Sequence, residues 1–124
     1  MTIGLVGLRV LVVEDDMMVS MLMEDMLADL GCVLIGPAAR LDEAVALLSR
    51  SDPDCAILDV NLGGVSVFPV ADLLRDRGLP YAFASGYAEV GLRPSDSAAP
   101  LLQKPFAEAD LARILTTLSN SRRA

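Results

Sequence analysis

The stretch Leu8-Arg9-Val10-Leu11-Val12-Val13-Glu14-Asp15-Asp16 (LRVLVVEDD, residues 8–16) decides the fold. Residues 8–13 form a short, β-branched run that is apolar on both faces, as suits a central strand of a parallel sheet. The run stops abruptly at three acids. Beyond them Val19, Leu22, Met23, Met26, Leu27 and Leu30 follow the spacing of an amphipathic helix, and Gly31 is placed to end it. Asp16 reads as a charge at the N-terminus of that helix rather than as a ligand.

The alternation of strand and helix continues along the chain. Cys32–Ile35 reads as a second strand leaving through Gly36-Pro37, and Leu41, Ala44, Val45 and Leu48 mark a second helix. Cys55–Leu58 is a third strand ending at Asp59. Gly63-Gly64 form a loop, Ser66 is placed to cap a third helix, and Pro69 falls in its first turn, where a missing N–H costs little. Val67, Val70, Ala71 and Leu74 are its apolar stripe, closed by Gly78. Tyr81–Ala84 is a fourth strand ending at Ser85-Gly86. Residues 87–100 read as a short or irregular fourth helix, with a possible turn over Ala88–Leu92. Leu101–Gln103 is a fifth strand. The last helix carries Leu111, Ile114, Leu115 and Leu118, and residues 119–124 read as a polar tail. Five strands alternating with helices give an α/β, doubly wound parallel sheet with helices on both faces. The flavodoxin-like order 2-1-3-4-5 is the expected one for this class.

With 124 residues, the chain has the size of one domain, whose core should run from about 8 to 118. A hydrophobic content of 53% argues against disorder. Seventeen acids against ten bases give a net charge of −7, which disfavours nucleic acid as a partner. No apolar run is long enough to span a bilayer, and the N-terminus lacks a secretory signal, so a cytoplasmic protein is expected. Cys32 and Cys55 fit a reducing compartment, separated in this architecture by another strand. There is no histidine, which removes Ser-His-Asp and Cys-His catalysis and disfavours zinc.

In such sheets ligands bind at the carboxyl ends of the strands, near the point where strand order switches. Strand one ends in Glu14-Asp15, strand three in Asp59, strand four in Ser85 and strand five in Lys104. Three crowded carboxylates repel one another, and a hard cation such as Mg²⁺ relieves the repulsion while accepting phosphate oxygens. Asp59 can then serve as a nucleophile forming an acyl phosphate. Lys104 can pair with one phosphoryl oxygen, and the Ser85 hydroxyl can donate to another.

Four segments carry a resemblance: LVVEDD (11–16), LDVNLGG (58–64), ASG (84–86) and QKPF (103–106). In this order, at these strand ends, the chain resembles a response-regulator receiver domain of two-component systems over nearly its whole length. The resemblance implies Asp59 as phospho-acceptor. It implies Asp15, Asp59 and the backbone carbonyl of Asn61 as Mg²⁺ ligands, with Glu14 acting through water. It places Ser85 as the hydroxyl that senses the phosphoryl group, and Lys104 as the family's lysine, joined to Pro105 by a cis bond. Pro80-Tyr81-Ala82-Phe83-Ala84-Ser85-Gly86 further resembles the Pro-Phe-x-Phe-Ala-Thr-Gly stretch of short, single-domain alphaproteobacterial receivers, with serine in place of threonine. Receivers of the common type carry Tyr or Phe three residues before the lysine. This chain has Leu101 there, which leaves the 87–100 segment as the candidate for the part that reorders, with Tyr87 as either a signalling or a structural residue.

The function expected is a stand-alone phospho-acceptor, charged by a sensor histidine kinase or phosphotransfer protein and signalling to a downstream protein. It would act as a monomer or a phosphorylation-dependent dimer, without membrane or nucleic-acid contact. It would catalyse only its own phosphorylation and dephosphorylation. The alternative is a receiver-fold scaffold that works without phosphorylation. An aspartyl phosphatase on the same fold would want an Asp-x-Asp nucleophile that Glu14-Asp15-Asp16 does not supply, and a flavin module would want a phosphate-cradling loop after the first strand. Met17, Met18 and Met21 lie off the core stripe of the first helix, either as adaptable packing or as a docking patch for a kinase helix.

Overall fold

The computed structural model describes residues 3–86, 93–96 and 98–123. Five strands, β1 (Arg9–Val13), β2 (Val33–Ala38), β3 (Cys55–Asp59), β4 (Tyr81–Ser85) and β5 (Leu101–Gln103), form one parallel sheet in the order β2-β1-β3-β4-β5. This is the expected doubly wound order. Four helices are described: α1 (Met17–Asp29), α2 (Leu41–Arg50), α3 (Phe68–Asp76) and α4 (Glu108–Arg123). Tyr87 and the turn expected over 88–92 lie outside the described residues.

Because successive side chains of a strand point to opposite faces, the sheet divides the core in two. Val10, Val12, Cys55, Ile57, Ala82, Ala84 and Leu102 pack beneath α1 and α4 with Met23, Leu27, Leu111 and Leu115. Leu11, Val13, Ala56, Leu58 and Phe83 pack against α2 and α3 with Ala44, Leu48, Val70 and Leu74. This two-sided burial explains why the strands read as continuous apolar runs. It also brings the carboxyl ends of the strands into line, with Val13 beside Leu58, Asp59 beside Ala84 and Ser85 beside Gln103.

Several local expectations need correction. On α1 the buried residues are Ser20, Met23, Met26 and Leu27, while Leu22 is exposed. The helix is apolar on more than one side, so spacing alone could not choose its inner face. The Ser20 hydroxyl donates to the Met17 carbonyl, which lets a polar residue sit inward. Val45 of α2 is likewise exposed. The N-cap of α3 is the buried Val67 rather than Ser66, whose hydroxyl nevertheless accepts from the Phe68 N–H. Residues 119–123 are not a tail: α4 continues through them, and Ser119 is buried. The core also begins before residue 8, since a 3₁₀ turn at Ile3–Leu5 packs against α4 and buries Leu5. Gly63-Gly64 turn a small hairpin, in which Asn61–Leu62 pairs with Val65–Ser66. Both glycines have positive φ, +59° and +93°, which side-chain-bearing residues rarely adopt.

Candidate functional site

The acids that end β1 and β3 meet because those strands are neighbours in register. Glu14 and Asp59 are buried and Asp15 is exposed, and one carboxylate oxygen from each lies within 4.8 Å of the others. Asp16 is outside this group. Its side chain caps α1, accepting from the N–H groups of Met18 and Val19 at 3.0 and 3.4 Å. The Asp16 N–H in turn donates to Glu14 Oε2 at 3.1 Å.

Lys104, directly after β5, reaches into the cluster. Its Nζ lies 2.7 Å from Glu14 Oε1 and 3.6 Å from Asp59 Oδ2. Glu14, expected to act through water on a metal, therefore also holds the lysine, which sequence reading did not foresee. The Lys104 N–H donates to the Ser85 carbonyl at 2.8 Å, tying the end of β5 to the end of β4. The Lys104–Pro105 bond is cis. Ser85, the last residue of β4, is buried beside these groups. The Asn61 N–H donates to Asp59 Oδ1 at 3.3 Å, while its side-chain oxygen accepts from the Gly64 N–H at 2.6 Å. Asn61 thus holds both the Asp59 carboxylate and the turn of the following hairpin. All six residues singled out in the sequence lie at the carboxyl end of the sheet or in the hairpin that follows β3.

Burial, reinforced by Glu14 and Asp15, raises the Asp59 carboxyl to about 7, with Lys104 opposing the rise. Burial lowers the Lys104 ammonium, but Glu14 and Asp59 more than offset it and leave it above its usual value. A carboxylate so disfavoured in its charged form, beside two others, is the donor set that a hard divalent cation suits. The residues present fit Mg²⁺ on that ground.

The raised Asp59 has a consequence for stability. Its folded value near 7 exceeds the ordinary 3.8, so the folded state holds the proton more tightly than the unfolded chain does. The contribution is therefore fully present below about pH 4, falls as pH rises, and is lost above about 7. Thermal melts of metal-free protein should show this decline, and Asp59→Asn should lack it and melt higher than wild type at pH 8. Mg²⁺ should raise the wild-type melting temperature most at high pH. Identical pH profiles for the two proteins would contradict this account of the site.

Met17, Met18 and Met21 are exposed together with Leu22, making an apolar patch on the first half of α1. Leu101, three residues before Lys104, is half-buried against the α2–α3 side of the core. Sequence reading missed one polar cluster altogether. Tyr81, at the start of β4, joins Arg93 and Asp96 of the turn before β5 through side-chain hydrogen bonds. Its only sequence signal is the i, i+3 spacing of Arg93 and Asp96.

Among the described residues no helix is long and apolar enough to cross a membrane. A family model described as the response regulator receiver domain matches residues 10–116. The phyllosphere-induced regulator PhyR of Methylorubrum extorquens is 32% identical over 114 residues, covering 87% of this chain and 42% of that protein. The solution structure of SdrG from Sphingomonas melonis Fr1 superposes with a TM-score of 0.82 at 35% identity, covering 90% of this chain and 96% of that one. The receiver domain of the sensor histidine kinase PA1611 from Pseudomonas aeruginosa PAO1 superposes with a TM-score of 0.77 at 26% identity, covering 92% and 98%. That crystal structure has a magnesium ion coordinated in its active-site cleft. The chain spans about half the length of the curated relatives it matches, between 42% and 52%. Such domains are signalling modules rather than classical enzymes. With the family's match covering most of its length, this chain belongs to the response regulator receiver domains of two-component signal transduction.

Proposed function

We propose that this single receiver domain accepts a phosphoryl group on Asp59 from a partner histidine kinase or phosphotransfer protein. The observation that carries the reading is the meeting of Asp59 with Glu14, Asp15 and Lys104 in one partly buried cluster. Asp15, Asp59 and the Asn61 carbonyl would hold Mg²⁺, with Glu14 acting through water. The magnesium in the cleft of the Pseudomonas receiver supports that choice of ion. When bound, the metal neutralises charge on the phosphoryl oxygens.

The rest falls to side chains of this chain. A carboxylate oxygen of Asp59 forms the new bond to phosphorus as the donor's leaving oxygen or nitrogen departs, giving an acyl phosphate. Lys104, already between Glu14 and Asp59, takes a phosphoryl oxygen as a further anionic partner. The Ser85 hydroxyl donates to another. Since these 124 residues include no histidine, a phosphohistidine donor lies outside them. That partner docks on the methionine patch of α1, beside the site, and the signal leaves by protein–protein contact in the cytoplasm.

The test is labelling with acetyl phosphate and Mg²⁺, read by intact mass. Wild type should gain a phosphoryl adduct and Asp59→Asn should gain none. An adduct of equal yield on the variant would overturn the reading.

A further inference from the structure

β5 has three residues and lies at the edge of the sheet. It fully buries one side chain, Leu102, so packing alone constrains its register weakly. Yet the residue that follows it is Lys104, whose ammonium must arrive within ångströms of Glu14 and Asp59. Something upstream has to hold the strand.

Just before β5, the turn Pro94–Asp96 carries an acid whose side chain is fully buried. Burying a carboxylate is costly unless it is fully satisfied. The Asp96 carboxylate accepts from the Tyr81 hydroxyl at 2.7 Å, from Arg93 Nε at 2.7 Å and from Arg93 Nη2 at 3.2 Å. Burial pushes the Asp96 carboxyl up, but Arg93 and Tyr81 outweigh it and leave it below the ordinary carboxylate range. Arg93 Nη2 is also 2.9 Å from Asp72 of α3, and its guanidinium carbon stands 4.3 Å over the Phe68 ring. The turn is thereby fixed at once to the start of β4 and to α3.

Backbone hydrogen bonds carry that fixation forward. The Ala99 N–H donates to the Asp96 carbonyl at 2.9 Å, the Phe83 N–H to the Pro100 carbonyl at 3.0 Å, and the Lys104 N–H to the Ser85 carbonyl at 2.8 Å. We propose that the clasp of Tyr81, Arg93 and Asp96 sets the register of β5 and thereby positions Lys104 at the phosphorylation site. This rests on the role given to Lys104 above. The three clasp residues are positioning residues, anchored at the start of β4, at the opposite end of that strand from the acids.

Two variants test it in the full chain. Tyr81→Phe keeps the ring and removes one donor to Asp96, and amide hydrogen exchange at Phe83 and Lys104 should speed up by about tenfold. Arg93→Gln removes the bridge to α3, and labelling by acetyl phosphate should slow by about tenfold, because small misplacements of a charged group are costly. Mg²⁺ affinity, measured by calorimetry, should stay within about twofold of wild type, since no proposed ligand lies on β5. Faster exchange confined to residues 93–96, or an unchanged labelling rate in Arg93→Gln, would overturn the proposal. A wild type that takes no label would overturn the reading of Asp59, while the exchange at Phe83 and Lys104 would still decide the register.

Discussion

Removing Mg²⁺ with a chelator is expected to slow labelling of Asp59 by acetyl phosphate by about 100-fold or more, the scale on which enzymes lose rate with a main charge-stabilising group. Glu14, Asp15 and Asp59 bring three carboxylates together, and the approaching donor adds further negative charge. Lys104 is the one cation placed against them among the described residues, and its closer partner is Glu14 at 2.7 Å rather than Asp59 at 3.6 Å. It therefore cannot neutralise the donor by itself. In the absence of metal, Asp59 titrates near 7, so about half of it would be protonated and non-nucleophilic at neutral pH. A divalent cation relieves both problems. The rate should be followed by intact mass across a Mg²⁺ titration, beginning in excess chelator. Labelling in chelator within about threefold of the saturated rate would show that the carboxylates need no metal.

Phe83→Ala should remove about 3–5 kcal/mol of stability, the usual cost of deleting a buried aromatic side chain. Phe83 is fully buried at the middle of β4. Its ring meets those of Phe68 at 6.0 Å and Tyr81 at 5.5 Å, both edge-to-face, so truncation opens a hole between the sheet and α3. A domain of this size is stable by only about 5–15 kcal/mol, so the melting temperature should fall by roughly 10–20 °C. Denaturant unfolding monitored by circular dichroism measures the loss. A cost below about 1 kcal/mol would mean that the site collapses around the hole, contrary to the tight packing described.

Much of the fold was legible because two-sided burial writes itself into sequence. The runs at 8–13, 55–58 and 81–84 are apolar without alternation, and each ends in a polar residue where the strand leaves the core. The same property exposed the site, since Glu14, Asp59, Ser85 and Lys104 all sit at such ends. Helix faces were harder to read. In α1, methionines and leucines occur on several sides, and the buried stripe includes Ser20 in place of Leu22. The extent of α4 was hidden for a related reason, since Ser119 and its neighbours are polar but are held by a helix docked on the sheet. The clasp was hidden most completely. Tyr81 and Asp96 are far apart in sequence and belong to different elements, and their hydrogen bond depends on the Pro94–Asp96 turn lying against the start of β4. Similarly, nothing in the spacing of Glu14 and Lys104 announces a 2.7 Å ion pair; adjacency arises from the strand order.

Asp59 is the proposed acceptor, and locating the phosphoryl group tests that assignment most directly. After labelling with acetyl phosphate and Mg²⁺, borohydride reduction converts an aspartyl phosphate to homoserine, which peptide mass spectrometry can place. Homoserine at residue 59 alone is the predicted result. Homoserine at Asp15 or another acid, or a phosphoryl group that borohydride does not remove, would contradict it.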